Sequence, residues 1–173
     1  MEIKITANST KKEIFRLVQE YLRSKGFTII SIDDNRPWGG FLLLDESDAG
    51  KFAHEFFRGY EIKMLASGIK LSPKILLVES GKRLSWQYHK RRAEIWRVLQ
   101  GEVEIVISDT DIEPAAKLYN KGDIIQLAKG QRHRLIGLKD WGIVAEIWKH
   151  TDSNHPSDED DIIRLKDDFG RGK

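Results

Sequence analysis

The amino-acid sequence predicts a mainly β protein, a sandwich or barrel of short strands preceded by one α-helix. Two observations carry this reading. Beyond residue 36 the chain breaks into short apolar or alternating runs: Phe41–Leu44, Ile75–Val78, Leu84–His89, Glu94–Leu99, Val103–Ile107, Ile124–Leu127, His133–Leu138 and Ile143–Trp148. Gly, Asp, Asn or Pro punctuate them, and many short strands at this spacing indicate antiparallel layers rather than a parallel sheet with crossover helices. Second, the N-terminal segment, before residue 36, reads as one amphipathic helix. A length of 173 residues fits one compact domain with a packed core and a flanking element.

The helix begins at Thr10-Lys11-Lys12-Glu13, which has the form of a capping box. Ile14, Leu17, Val18, Tyr21 and Leu22 follow at the spacing of one helical face, and Gly26 stands where a left-handed C-terminal cap belongs. Phe27–Ile32 reads as a strand, and the turn-rich stretch Asp33 to Gly40 separates it from the β region. The expected division is a helix and strand over residues 1–35, packed on a barrel over 36–173. From Thr151 onward the chain is polar and acidic.

Composition excludes several classes. No apolar run approaches the roughly 20 residues of a membrane helix, and Met1 to Lys12 lacks the apolar stretch of a secretory signal. There is no cysteine, so any metal must sit on nitrogen and oxygen ligands. These absences place the protein in the cytoplasm as an expectation. The net charge of +2 comes from 29 basic and 27 acidic residues, largely intermixed. Neither a segregated basic face nor a recognition motif points to nucleic acid.

One strand carries unusual chemistry. Alternation along Leu84–His89 puts Ser85, Gln87 and His89 on one face and Leu84, Trp86 and Tyr88 on the other. The polar trio either points to water or faces the interior of a barrel whose apolar face packs on something outside. Glu94 follows after a short basic turn, so a hairpin would return it beside His89. His133 opens a later run, just after Lys129-Gly130. Two imidazoles, a carboxylate and an amide oxygen suit Zn²⁺, Mn²⁺, Fe²⁺, Co²⁺ or Ni²⁺, and positions left open to substrate make such a site catalytic.

Gly81-x5-Gln87-x-His89-x4-Glu94-x6-Gly101 resembles the first motif of the cupins, with Gln in place of its usual first His. Gly122-x5-Ala128-x-Gly130-x2-His133 resembles the second, with Ala128 at a position where proline is common and Gly137 where asparagine is common. The resemblance implies a cupin double-stranded β-helix, a jelly-roll barrel, with Gln87, His89, Glu94 and His133 holding one divalent metal inside it, zinc foremost.

Ser85-Trp86-Gln87-Tyr88-His89 and Arg92-Ala93-Glu94-Ile95-Trp96 are further similar to the type II family of mannose-6-phosphate isomerases. Arg36-Pro37-Trp38-Gly39 resembles that family's R-P-W-G segment. Glu159 to Arg164, followed by Asp167-Asp168-Phe169-Gly170-Arg171, resembles its ending. The likeness runs from about Arg36 to Arg171 and leaves the helix outside. Lys90, Arg91 and Ile95 stand where the family often has further histidines. Many members are fused to a sugar-nucleotide pyrophosphorylase domain, and this chain has neither its Gly-rich basic loop nor room for it, so only the isomerase half is expected.

The resemblance implies isomerisation of a sugar phosphate, mannose 6-phosphate to fructose 6-phosphate in the first instance and a phosphoheptose in the second. Its hard step is stabilising charge on the carbonyl oxygen, which a metal with open positions does as a Lewis acid. Arg164 is the first candidate for a substrate-side cation and Ser85 for a hydroxyl contact; Arg171, Arg36 and Lys74 are further phosphate-binding candidates. Two other classes remain open, a cupin that binds metal and sugar without turnover and a metal-dependent oxidase or dioxygenase. A homodimer paired through an exposed strand edge is expected.

Overall fold

The computed structural model of the protein describes residues 3, 5, 9–60 and 70–171. In chain order its elements are α1 (Lys11–Ser24), β1 (Ile29–Asp33), β2 (Gly39–Leu44), α2 (Ala49–Phe56), β3 (Lys74–Val78), β4 (Trp86–Tyr88), β5 (Arg92–Gln100), β6 (Val103–Ser108), β7 (Lys117–Tyr119), β8 (Ile124–Leu127), β9 (Arg132–Gly137), β10 (Gly142–His150) and β11 (Ile163–Lys166). The strands form two sheets, one ordered β1-β2-β3-β10-β5-β8 and the other β11-β4-β9-β6-β7. All their pairings are antiparallel, so the mainly β, jelly-roll expectation holds.

Helix α1 starts as its sequence dictates. The Glu13 N–H donates to Thr10 Oγ1 at 3.3 Å, and the Thr10 N–H donates to Glu13 Oε2 at 2.8 Å. It ends at Gly26, whose φ of +74° is open to glycine at little cost. The buried face is Ile14, Phe15, Val18 and Leu22. Phe15 lies outside the stripe expected from spacing, and Leu17 is only half-buried, because the helix presents a face slightly rotated from that stripe.

The larger sheet is covered on both sides, and alternation along β3 shows how. Ile75 and Leu77 pack with α1 and with Phe52 and Phe56 of α2. Leu76 and Val78 point the other way, into a core shared with Val103, Ile105 and Leu135 of the smaller sheet. Burying each such side chain contributes roughly 1.5–3 kcal/mol. The sequence reading passed over α2, although Ala49, Phe52, Ala53 and Phe56 have helical spacing. It also passed over β7 and β11, short strands at sheet edges with few buried residues. Among the described residues no helix is long and apolar enough to cross a membrane.

Gly39 seats β2 against β3. Its φ is +134°, and a Cβ there would lie 1.9 Å from the Leu77 carbonyl oxygen. Relieving that overlap means moving backbone in the middle of the sheet. Gly39→Ala is therefore expected to cost about 3 kcal/mol and to lower Tm by roughly 6–12 °C. In Gly81→Ala, where φ is +68° and the added Cβ meets nothing within 4 Å, the loss should be nearer 1 kcal/mol. Thermal melts of the two variants side by side check the difference.

Candidate metal centre and cavity

Three side chains from neighbouring elements converge between the sheets. Gln87 of β4 stands opposite His133 of β9 in register. His89 follows β4 directly, and the Gly130 N–H ties the next turn to its carbonyl oxygen at 2.8 Å. Glu94 comes from β5. One ligand atom from each of His89, Glu94 and His133 lies within 4.8 Å of the others, and each residue is about 2% exposed. The face carrying Ser85, Gln87 and His89 is thus the interior one. Trp86 on the opposite face is buried beneath a loop, its Nε1 donating to the Asp111 carbonyl at 3.0 Å. Leu84 departs from the alternation and joins the interior core, since regular strand geometry begins only at Trp86.

Hydrogen bonds set both imidazoles for a cation. His89 Nδ1 meets the Asp161 carbonyl oxygen, and His133 Nδ1 meets that of Gln131 at 3.0 Å. A carbonyl can only accept, so each Nδ1 carries the proton and each Nε2 keeps its lone pair. Those lone pairs face Glu94: His89 Nε2 is 3.1 Å from Oε1, and His133 Nε2 is 3.4 Å from Oε2. Among the described residues, His133 Nε2 and Glu94 Oε2 are buried with no hydrogen-bond partner. Burial pushes the His133 imidazole down to about 4, so it is neutral. Burial pushes the Glu94 carboxyl up, but the charged surroundings, with the Arg92 guanidinium bonded to Oε1, outweigh it and hold it well below the usual range. Buried acceptors facing one another are costly, and a divalent cation resolves the cost. The donor set therefore fits a metal.

Arg92 is the one donor at this cluster among the described residues, and the sequence reading gave it no role. Its Nε donates to Glu94 Oε1 at 2.7 Å and its Nη2 to His89 Nε2 at 3.1 Å. Nη1 holds Ser157 Oγ at 2.7 Å and the Asp158 carbonyl at 3.0 Å. The C-terminal segment is also anchored through Asp161, whose carboxylate accepts the Lys90 and Arg91 N–H groups and the Ser157 hydroxyl.

Beside the cluster opens a cavity. Ser85, Gln87, Lys74, Arg36, Arg164 and Arg171, all singled out from the sequence, line it together with Glu94. Ser85 Oγ donates to Gln87 Oε1 at 2.6 Å, fixing which end of the amide is the oxygen. Arg36 is paired with Asp33, and Arg171 with Asp167. Among the described residues Arg164 Nε is buried without a partner; burial first, then Arg171 and Arg36, hold its pKa below the usual arginine value. Lys74 is buried, ion-paired with Glu159 and 3.4 Å from the Trp148 ring centre. Glu146, Trp96 and Trp148 also line the cavity and were missed, although a Glu inside the apolar run Ile143–Trp148 was a visible signal.

The sequence profile of the family described as "Mannose-6-phosphate isomerase C-terminal" matches residues 51–167, well over half of the chain. The chain belongs to that family. As a member of the mannose-6-phosphate isomerase C-terminal family, it is 29% identical over 136 residues to mannose-1-phosphate guanylyltransferase of Escherichia coli strain K12, covering 79% of this chain and 22% of that protein. It is 30% identical over 136 residues to the xanthan biosynthesis protein XanB of Xanthomonas campestris pv. campestris strain B100, covering 79% and 23%. The chain thus spans under a quarter of the length of these relatives. Its fold resembles oxalate decarboxylase of Lactobacillus farciminis, with a TM-score of 0.52 at 13% identity over 78% of this chain and 33% of that one. The cupin-type jelly-roll read from the two motifs agrees with this likeness.

Proposed function

We propose that the protein is a metal-dependent aldose–ketose isomerase acting on a phosphorylated sugar, with mannose 6-phosphate and fructose 6-phosphate as the first pair to test. The observation that carries this is the set of buried acceptors without a partner among the described residues, Glu94 Oε2 and His133 Nε2, beside a cavity that Arg164, Arg171 and Arg36 also line. The site therefore offers acceptors for a cation and guanidinium groups for an anion, and a sugar phosphate chelated through its carbonyl end needs both.

His89, Glu94, His133 and the Gln87 amide oxygen would hold one divalent ion, zinc foremost, with manganese, iron, cobalt or nickel as alternatives. When bound, the ion supplies Lewis-acid polarisation of the substrate carbonyl. Gln87 is neutral and leaves the ion more electrophilic than a second carboxylate would. Ser85 orients that amide and lies within reach of a substrate hydroxyl. Arg164, with its unpartnered Nε, takes the phosphate by charge-assisted hydrogen bonds, supported by Arg171 and Arg36. The same reading takes the protein as a cytoplasmic homodimer, with the β1 edge and its exposed Ile30 and Ile32 as the pairing surface.

Elemental analysis and turnover test the reading together. About one equivalent of metal per chain is expected, as is conversion of mannose 6-phosphate that chelation abolishes and a divalent ion restores. Bound metal without turnover on any hexose or heptose phosphate would favour the non-catalytic binding protein instead.

A further inference from the structure

Isomerisation needs a group that carries a proton between adjacent carbons, and the phosphate-binding and metal-facing residues leave that role unfilled. Glu94 is engaged by His89, His133 and Arg92. Glu159 is ion-paired and 46% exposed at its side chain. Glu146 is different. It projects from β10 into the same cavity and is 5% exposed. Among the described residues it forms no salt bridge, and its one hydrogen bond is from Trp96 Nε1 to Oε1 at 2.9 Å. Its strand neighbours Val144, Ala145 and Ile147 are apolar core residues, so packing alone gives no reason for a carboxylate there. Directly opposite in register on β3 stands Lys74, buried and lining the same cavity.

We propose that Glu146 is the proton carrier of the isomerisation and that Lys74 manages the proton on oxygen. This rests on the isomerase reading above. The Glu146 carboxylate takes the proton from C2 of the aldose; the C2–H electrons form the C1=C2 bond, and the C1 carbonyl oxygen accepts a proton from the Lys74 ammonium. The resulting enediol then gives its O2 proton to the Lys74 amine. As the O2 carbonyl forms, C1 takes back the proton held by Glu146. Both groups end as they began, and no other reactant is consumed.

The electrostatics support this pairing. Burial, and then the Glu94 carboxylate on β5, push the Glu146 carboxyl up to about 7 against the opposing pull of Lys74 and Arg92 and the Trp96 hydrogen bond. Burial pushes Lys74 down, while Glu146 and Glu159 oppose it. A proton carrier works best when its two states are close in free energy near the working pH.

The test uses metal-loaded wild type and the near-isosteric variant Glu146→Gln, with mannitol 6-phosphate as a bound analogue that cannot isomerise. The variant is expected to keep its metal and to bind mannitol 6-phosphate within about threefold of wild type, while turnover of mannose 6-phosphate falls roughly 10³-fold. Glu146→Asp should recover part of that loss, and Lys74→Met should turn over about 100-fold more slowly while still binding the analogue. Turnover of Glu146→Gln within tenfold of wild type overturns the assignment and leaves the isomerase reading standing. Analogue binding lost in step with turnover overturns it too, making Glu146 a binding residue. Wild-type turnover in Lys74→Met removes Lys74 from the scheme. Wild type inert on every hexose and heptose phosphate overturns the isomerase reading, and the proposal with it.

Discussion

Replacing His133 by alanine is expected to reduce bound metal from about one equivalent to a residue below one tenth after dialysis, and to lower kcat/KM at least 10³-fold. The imidazole contributes an Nε2 lone pair that no donor among the described residues satisfies, fixed in direction because Nδ1 is committed to the Gln131 carbonyl. Without it, Glu94 Oε2 loses the neighbour with which it would share a cation. A neutral ligand is less critical than an imidazole set in place by its second hydrogen bond, so Gln87→Ala should weaken metal binding by only about 10–100-fold, on the scale of an outer partner. Removing a buried ring also costs stability of about 2–4 kcal/mol. Metal content is therefore compared on folded protein, checked by circular dichroism at a temperature below both transitions. Folded His133→Ala retaining a full equivalent would remove His133 from the site.

The positions of Gln87, His89, Glu94 and His133 were legible because their chemistry is local and their spacing regular. Period-two alternation turns Gln87 and His89 to one side, and a hairpin can return the chain to Glu94. Arg164 and Arg171 were legible only through resemblance, since nothing in a polar tail indicates that β11 pairs with β4 and brings Arg164 opposite Gln87. Glu146 was not read at all, and Lys74 was read only as a phosphate-binding candidate. Their significance comes from β3 and β10 lying side by side across an interval of some seventy residues, and such pairing follows from the closure of the whole sheet. Helix α2 and strand β7 were missed for lesser reasons: one is eight residues long, and the other is a three-residue edge with exposed Leu118.

Arg92 could not be read correctly in advance, since an Arg in a basic turn ordinarily faces solvent. Here it is 2% exposed and stacks at 3.6 Å over the Trp148 ring. Its guanidinium joins the metal-facing acceptors to the segment at Ser157 and Asp158, a second tie beside the one Asp161 makes to His89. Arg92→Met keeps much of the side-chain length but removes every donor. It leaves Glu94 Oε1 and the Asp158 carbonyl without that partner, and a loss of about 3–5 kcal/mol in stability is expected. Limited proteolysis should then begin within residues 151–161, where the anchoring is lost first. Metal binding should move the opposite way. The Nη2 group occupies the His89 lone pair that a metal needs, and a positive guanidinium beside the site repels a second cation. The variant should therefore hold its metal at least as tightly as wild type, although its fold is weaker. Competition with a chelating dye measures the affinity, and chemical denaturation of the metal-free proteins measures the stability. A fall in both together would mean that Arg92 organises the ligands, and that the charge it places among them is no obstacle to the ion.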